Sequence, residues 1–199
     1  GNQMKAFGAL LLTVAVPATS WATTWDIDGS HTTVSFKVRH MMVTDVRGEF
    51  GKVEGKVDIN DKDLSKSNVD VTIDVGSVNT RDEKRDGHLK SPDFFDAAKH
   101  SKITFKSTKV ASAGKGKLKV TGNLTIKGVT KKVTLDVSEF TKEIKGPWGS
   151  YHRGATATTT IDRKDFGITW NKNLDAGGLL VGNEVKIMLD VELVRKANS

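Results

Sequence analysis

A chain of 199 residues is long enough for one domain with a buried core, and the absence of any cysteine excludes disulfides, thiol catalysis and cysteine-ligated metals. The net charge is +7, but the lysines stand singly at positions such as Lys102, Lys106, Lys117, Lys119, Lys127, Lys131 and Lys132. Spread charge of that kind marks the wet face of a sheet rather than a nucleic-acid patch, and it remains compatible with an anionic group on a small ligand.

In chain order, Gly1, Asn2 and Gln3 precede the natural start at Met4 and are set aside as an extraneous or over-long beginning. Lys5, a short apolar run, Pro17 and then Ser20-Trp21-Ala22 have the layout of a secretory signal. The expectation is a signal peptide over residues 1–22 and a single domain over residues 23–199, located in the periplasm.

From there most of the chain alternates apolar and polar residues, the pattern of strands wet on one face. Residues 34–38, 69–75, 118–126, 132–137 and 185–193 follow it cleanly. Between 46 and 59 the apolar parity switches: Val46, Gly48 and Phe50 share one, Val53, Gly55, Val57 and Ile59 the other. Such a switch requires an inserted residue, so a β-bulge is expected near Gly51-Lys52. Turns are expected at Asn60-Asp61, Gly114-Lys115-Gly116, Lys127-Gly128 and Gly146-Pro147, and the pairs Gly177-Gly178 and Gly182-Asn183 also read as turn residues.

Residues 81–99 break the alternation. Thr80 with Glu83 has the spacing of a capping box, which predicts a helix running to about Lys90. Ser91-Pro92-Asp93 predicts the start of a second helix, and Leu89, Phe94, Phe95 and Ala98 give the helical pair an apolar side. About eight strands with no long helix to cover them imply an antiparallel sheet closed on itself. Few aromatic residues are available to plug such a barrel, since they make up 7% of the chain. An elongated apolar cavity suited to a long hydrocarbon is therefore expected inside.

No constellation points firmly to catalysis or a metal. The five histidines, His31, His40, His88, His100 and His152, fall in no metal-binding spacing. His40-Met41-Met42 offers soft ligands, but a strand end resting on methionines accounts for it. His88 with Asp86 is the one acid/base pairing to weigh, against a structural role for His88 in anchoring the helical segment. Trp148 and Trp170 read either as plugs of a barrel mouth or as ligand contacts.

Taken in order, several motifs form a recognisable set. They are Trp25-Asp26-Ile27-Asp28 with His31-Thr32, then Val34, Phe36, Val38 and His40 at alternate positions, then Val46-Arg47-Gly48-Glu49-Phe50. Ser77-Val78-Asn79-Thr80, Arg85-Asp86-Gly87-His88-Leu89 and Asp93-Phe94-Phe95-Asp96 follow. Ile103-Thr104-Phe105, Gly122-Asn123-Leu124-Thr125-Ile126, and Asp162-Arg163 with Phe166-Gly167 complete it. This set resembles the YceI-like family of polyisoprenoid-binding periplasmic proteins over nearly the whole of residues 23–199. Thr32 departs from the family's usual serine but keeps the hydroxyl.

The resemblance implies a single extended, eight-stranded, antiparallel lipocalin-like β-barrel with a short helical segment around residues 81–99. It implies a non-enzymatic protein that carries or stores a long polyisoprenoid, a prenyl phosphate or an isoprenoid quinone, with that lipid as ligand and no cofactor required. The alternatives are fatty acids, amides or another amphiphile as ligand, or an enzyme acting on a lipid head group through His88. Expected lining residues are Phe36, Val38, Phe50, Val71, Ile73, Phe94, Phe95, Phe105, Leu124, Leu135, Phe166, Trp170 and Ile187. Arg47, Arg85 and His88 are candidates for the head group. Transient contact with a membrane or membrane protein and a homodimer are the further partners considered; nucleic acid is not among them.

Overall fold

A computed structural model describes residues 21–197. The expected signal peptide therefore lies almost wholly outside the described residues. Twelve strands are present among them: β1 (Thr23–Ile27), β2 (Thr33–His40), β3 (Thr44–Phe50), β4 (Val53–Ile59), β5 (Asn68–Asp74), β6 (Val78–Asn79), β7 (Lys102–Gly114), β8 (Lys117–Ile126), β9 (Val129–Ser138), β10 (Ile144–Lys145), β11 (Ser150–Asp162) and β12 (Val181–Lys196). One α-helix, α1, spans Glu83–Lys90.

Every pairing is antiparallel, and β12 closes the sheet by pairing β11 along its length, from Ser150 opposite Lys196 to Asp162 opposite Glu184. On its other edge β12 takes β2 along its first half and β1 near its end. β1 and β2 thus act as one broken stave. β3 and β4 form another, paired with β2 and β1 respectively. With β5, β7, β8, β9, β11 and β12 these make a closed eight-stranded antiparallel barrel, as expected.

The break between β3 and β4 sits at Gly51 and Lys52, where the parity switch placed it. Phe50 and Val53 are both buried, which an unbroken alternation forbids. The two intervening amides are not lost: Gly51 N–H donates to the Ser77 carbonyl at 3.2 Å and Lys52 N–H to Ser77 Oγ at 3.1 Å. The expected turns fall between strands. Lys127 and Gly128, with φ of 50° and 75°, form the tight link between β8 and β9. Gly182 and Asn183 are not a turn; they lie in β12 where its register against β2 shifts between Val181 and Val185.

The helical segment differs from expectation in two ways. The cap of α1 is Asp82, whose carboxylate accepts from Arg85 N–H at 2.9 Å, and not Thr80. Thr80 is instead buried, its N–H and Oγ1 both donating to Asp86 Oδ1 at 2.9 and 2.6 Å. The second helix does not form. Residues 91–99 run through turns, because their amides fold back on the end of α1: Phe95 N–H donates to Leu89 O and Ala97 N–H to Lys90 O. Asp96, with φ of 50°, makes the bend that a continuing helix could not.

Candidate functional site: an apolar cavity in the barrel

The interior divides into two regions along the barrel. At the end formed by β1, the close of β4 and the close of β12, Trp25, Ile59 and Leu193 are buried together. Arg153 and Arg195 lay their guanidinium groups over this plug, 5.7 and 5.1 Å from the Trp25 ring, and stack on Phe140 and Tyr151 at 4.4 and 4.2 Å. Arg153 also donates to both oxygens of Asp61, at 2.9 and 3.1 Å.

The rest of the interior is open. A cavity of about 330 Å³ runs among β2, β5, β7, β8, β11 and β12, with α1 and the turns after it on one side. All thirteen expected lining residues border it. Phe36 and Val38 come from β2, Phe50 from β3, Val71 and Ile73 from β5, and Phe105 from β7. Leu124 comes from β8, Leu135 from β9 and Ile187 from β12. Phe94, Phe95, Phe166 and Trp170 come from the turns and loops. Period two accounts for the nine on strands, since inward parity in a barrel leaves a side chain nowhere else to go; the four aromatic residues outside the strands are brought in by the turns that carry them. The same parity points to Val34, Val185 and Leu189, which border the cavity too.

The aromatic groups meet at the helical side. Phe36 contacts Phe50 at 5.6 Å between centroids, and Phe50 meets Phe95 edge-on at 5.8 Å. His88 presents its ring edge-on to Phe94 and Trp170, at 5.0 and 4.8 Å, and its Nε2 lies 2.8 Å from Asp93 Oδ2. Asp86 is not its partner, being held by Thr80. His88 thus fastens α1, the following turn and the Trp170 loop to one another.

The three head-group candidates separate. Arg85 and His88 border the cavity. Arg85 is fixed by donating from Nε to Thr80 Oγ1 and from Nη2 to the Thr80 carbonyl, each at 2.8 Å. Arg47 does not reach it. It lies between the inward Val46 and Gly48, opposite Lys37, and is exposed on the outer face. Trp148 is likewise outside, 92% exposed next to β10, so of the two tryptophans only Trp170 borders the cavity.

Polar residues that the strand pattern does not single out also border the cavity, among them Arg39, His40 and Arg163, and of these Arg163 is the buried one. It is 4% exposed and borders the cavity, yet its guanidinium has only carbonyl partners. It donates to Gly182, Ile168, Trp170 and Val181 at 2.8, 2.8, 2.9 and 3.3 Å. Burial lowers its pKa. Its local signal is the Asp162 cap, which accepts from Lys164 N–H and ends β11 in a short turn. Arg163 ties the loop carrying Trp170 to the start of β12.

Comparison with known proteins agrees with this architecture. UPF0312 protein VPA0850 of Vibrio parahaemolyticus is 39% identical over 161 residues, 80% of this chain and 85% of its own length. UPF0312 protein SAS2572 of Staphylococcus aureus is 39% identical over 171 residues, covering 85% and 96%. Among solved structures, Burkholderia cenocepacia BcnA superposes with a TM-score of 0.73 at 27% identity, over 85% of this chain and 99% of that one. A polyisoprenoid binding domain from Saccharophagus degradans shares the fold, with a TM-score of 0.60 at 15% identity over 85% and 97%. A family profile described as the YceI-like domain matches residues 25–193, and the chain belongs to that family.

Proposed function

We propose that the protein binds one long-chain isoprenoid lipid, a prenyl phosphate or an isoprenoid quinone, and carries or stores it in the periplasm. The observation that carries this reading is the cavity of about 330 Å³, walled mostly by aliphatic and aromatic side chains inside a closed barrel. That volume lies within the ~300–1,000 Å³ range of small-molecule pockets. Removing tail surface from water at ~25 cal/mol per Å² contributes about 2.5 kcal/mol for each ~100 Å² buried, before the costs of association. Affinity for a hydrocarbon therefore needs no polar contact along its length. A polyisoprenoid binding domain uses the same fold, which supports the ligand class, and the signal-like residues 4–22 support export. Arg85 and His88 border the cavity, which supports them as the groups that meet a polar or anionic head.

The experiment is to purify the protein, extract it with organic solvent and identify the extract by mass spectrometry. Delipidated protein is then offered a prenyl phosphate, a quinone, a fatty acid and a fatty amide. The expected outcome is one prenyl lipid per chain. Ile187→Trp, which places an indole in the open interior, is expected to lower the amount bound at least ten-fold while leaving the circular dichroism unchanged. Failure of every lipid to bind the unaltered protein removes the proposal; preference for the acyl compounds moves it to that class.

A further inference from the structure

The chain between β1 and β2 makes a loop, from Asp28 to Thr32, that runs beside β12 between the stretches paired with β1 and β2. Three ligand atoms converge there. His31 Nδ1 lies 2.8 Å from Asp28 Oδ2 and 4.0 Å from Glu192 Oε2, and all three lie within 4.8 Å of one another. The sequence hides this group, because Glu192 stands on the last strand, far from the loop.

Each of the two carboxylates is held through its other oxygen, and His31 Nδ1 also lies 3.2 Å from Ser30 Oγ. Asp28 Oδ1 accepts from Ser30 N–H at 3.0 Å and from Ser30 Oγ at 2.6 Å. Glu192 Oε1 lies 2.8 Å from His152 Nδ1, whose other ring nitrogen meets Ser150 Oγ at 2.7 Å. The backbone braces the loop on the strand: Asp28 N–H donates to the Glu192 carbonyl at 2.9 Å, and Glu192 N–H to Thr32 Oγ1 at 3.1 Å. A carboxylate held through one oxygen with the other left to point outward is how metal ligands are oriented by their neighbours.

We propose that Asp28 Oδ2, His31 Nδ1 and Glu192 Oε2 bind one divalent first-row transition cation, of which Zn²⁺ is the representative. A tetrahedral zinc with bonds of ~2.1 Å spaces its ligands about 3.4 Å apart, midway between the two separations that His31 Nδ1 makes. One imidazole with two carboxylates favours such an ion over Mg²⁺, which prefers oxygen ligands and retains its water. The His31 side chain is 65% exposed, so the ion keeps open positions for water or a further ligand. The site is independent of the lipid reading, since none of its three ligands borders the cavity.

The test uses tag-free, chelator-treated protein titrated with Zn²⁺ by calorimetry, followed by Co²⁺ and its visible spectrum. One ion per chain is expected, undisturbed by excess Mg²⁺. His31→Ala and Glu192→Gln are each expected to weaken binding at least ten-fold. His152→Ala, which removes the group orienting Glu192, is expected to weaken it by roughly 10- to 100-fold. His40→Ala and His100→Ala are expected to change nothing. Absence of saturable Zn²⁺ binding overturns the proposal, as does binding that survives Glu192→Gln or falls equally in His40→Ala. Should His31→Ala fail to fold, the near-isosteric Glu192→Gln decides.

Discussion

His31 and Asp28 each change the other's affinity for a proton. The hydrogen bond from His31, then those from Ser30, hold the Asp28 carboxyl at about 2 against an ordinary 3.8, while Asp28 and then Glu192 raise the imidazole of His31 above its ordinary 6.5. The signs follow from linkage. A depressed carboxylate adds stability above its unfolded value, lost as pH falls through 2; a raised imidazole adds stability below 6.5, lost as pH rises through its folded value. In metal-free buffer the pair is therefore expected to contribute most between about pH 4 and 6.5. NMR titration of His31 in Asp28→Asn checks this: its midpoint is expected to fall toward the ordinary value, and an unmoved midpoint contradicts the coupling. At this scale the sequence was legible where residue type alone decides position, and less so where two polar residues compete. Thr80 and Asp82 both suit a helix cap, and Asp82 takes the cap because Thr80 is drawn into the interior by Asp86 and Arg85.

Among the elements, two inward-facing strand positions are glycine for a steric reason. A Cβ at Gly48 would lie 2.5 Å from the Phe36 ring across the β2–β3 pair, and one at Gly122 would lie 2.6 Å from the Phe105 ring and 2.5 Å from the Lys106 carbonyl. Each phenylalanine uses the space above a glycine to lie along the wall. Gly122→Val must therefore displace both a ring and a backbone carbonyl. A loss of about 1–3 kcal/mol is expected in denaturant unfolding, as for other overpacked cores, together with lower lipid capacity as Phe105 moves inward. Unchanged stability would show that the wall can spread. Strands were the most readable elements, because their parity is set by burial over many residues. The segment after α1 was not, since its geometry depends on which carbonyls its amides reach, and two of those, on Leu89 and Lys90, belong to α1.

For the whole molecule, the interior is one barrel with one end filled and the remainder open. Trp25 is 1% exposed and its Nε1 makes no hydrogen bond, so its worth lies in volume rather than polarity. Trp25→Ala is expected to cost about 3–5 kcal/mol of unfolding free energy, and Trp25→Phe much less. Equal losses in the two would point to a role for the indole nitrogen. The composition foretold a cavity but not that a single tryptophan with two stacked arginines would stop it at one end, because cation–π stacking depends on strands distant in sequence. The closure of the barrel has a thin place as well. β9 joins β11 through only three residue pairs, Ser138, Val137 and Asp136 opposite Thr156, Ala157 and Thr158; beyond them a bond from Thr159 Oγ1 to the Thr134 carbonyl bridges the two strands. The first half of β9 is thus an unzipped margin in the barrel wall, the kind of margin onto which a stray strand from another chain can add. Lys131 and Lys132 are exposed on that margin. Their charge repels an incoming copy, so the slit can stay open without seeding aggregation.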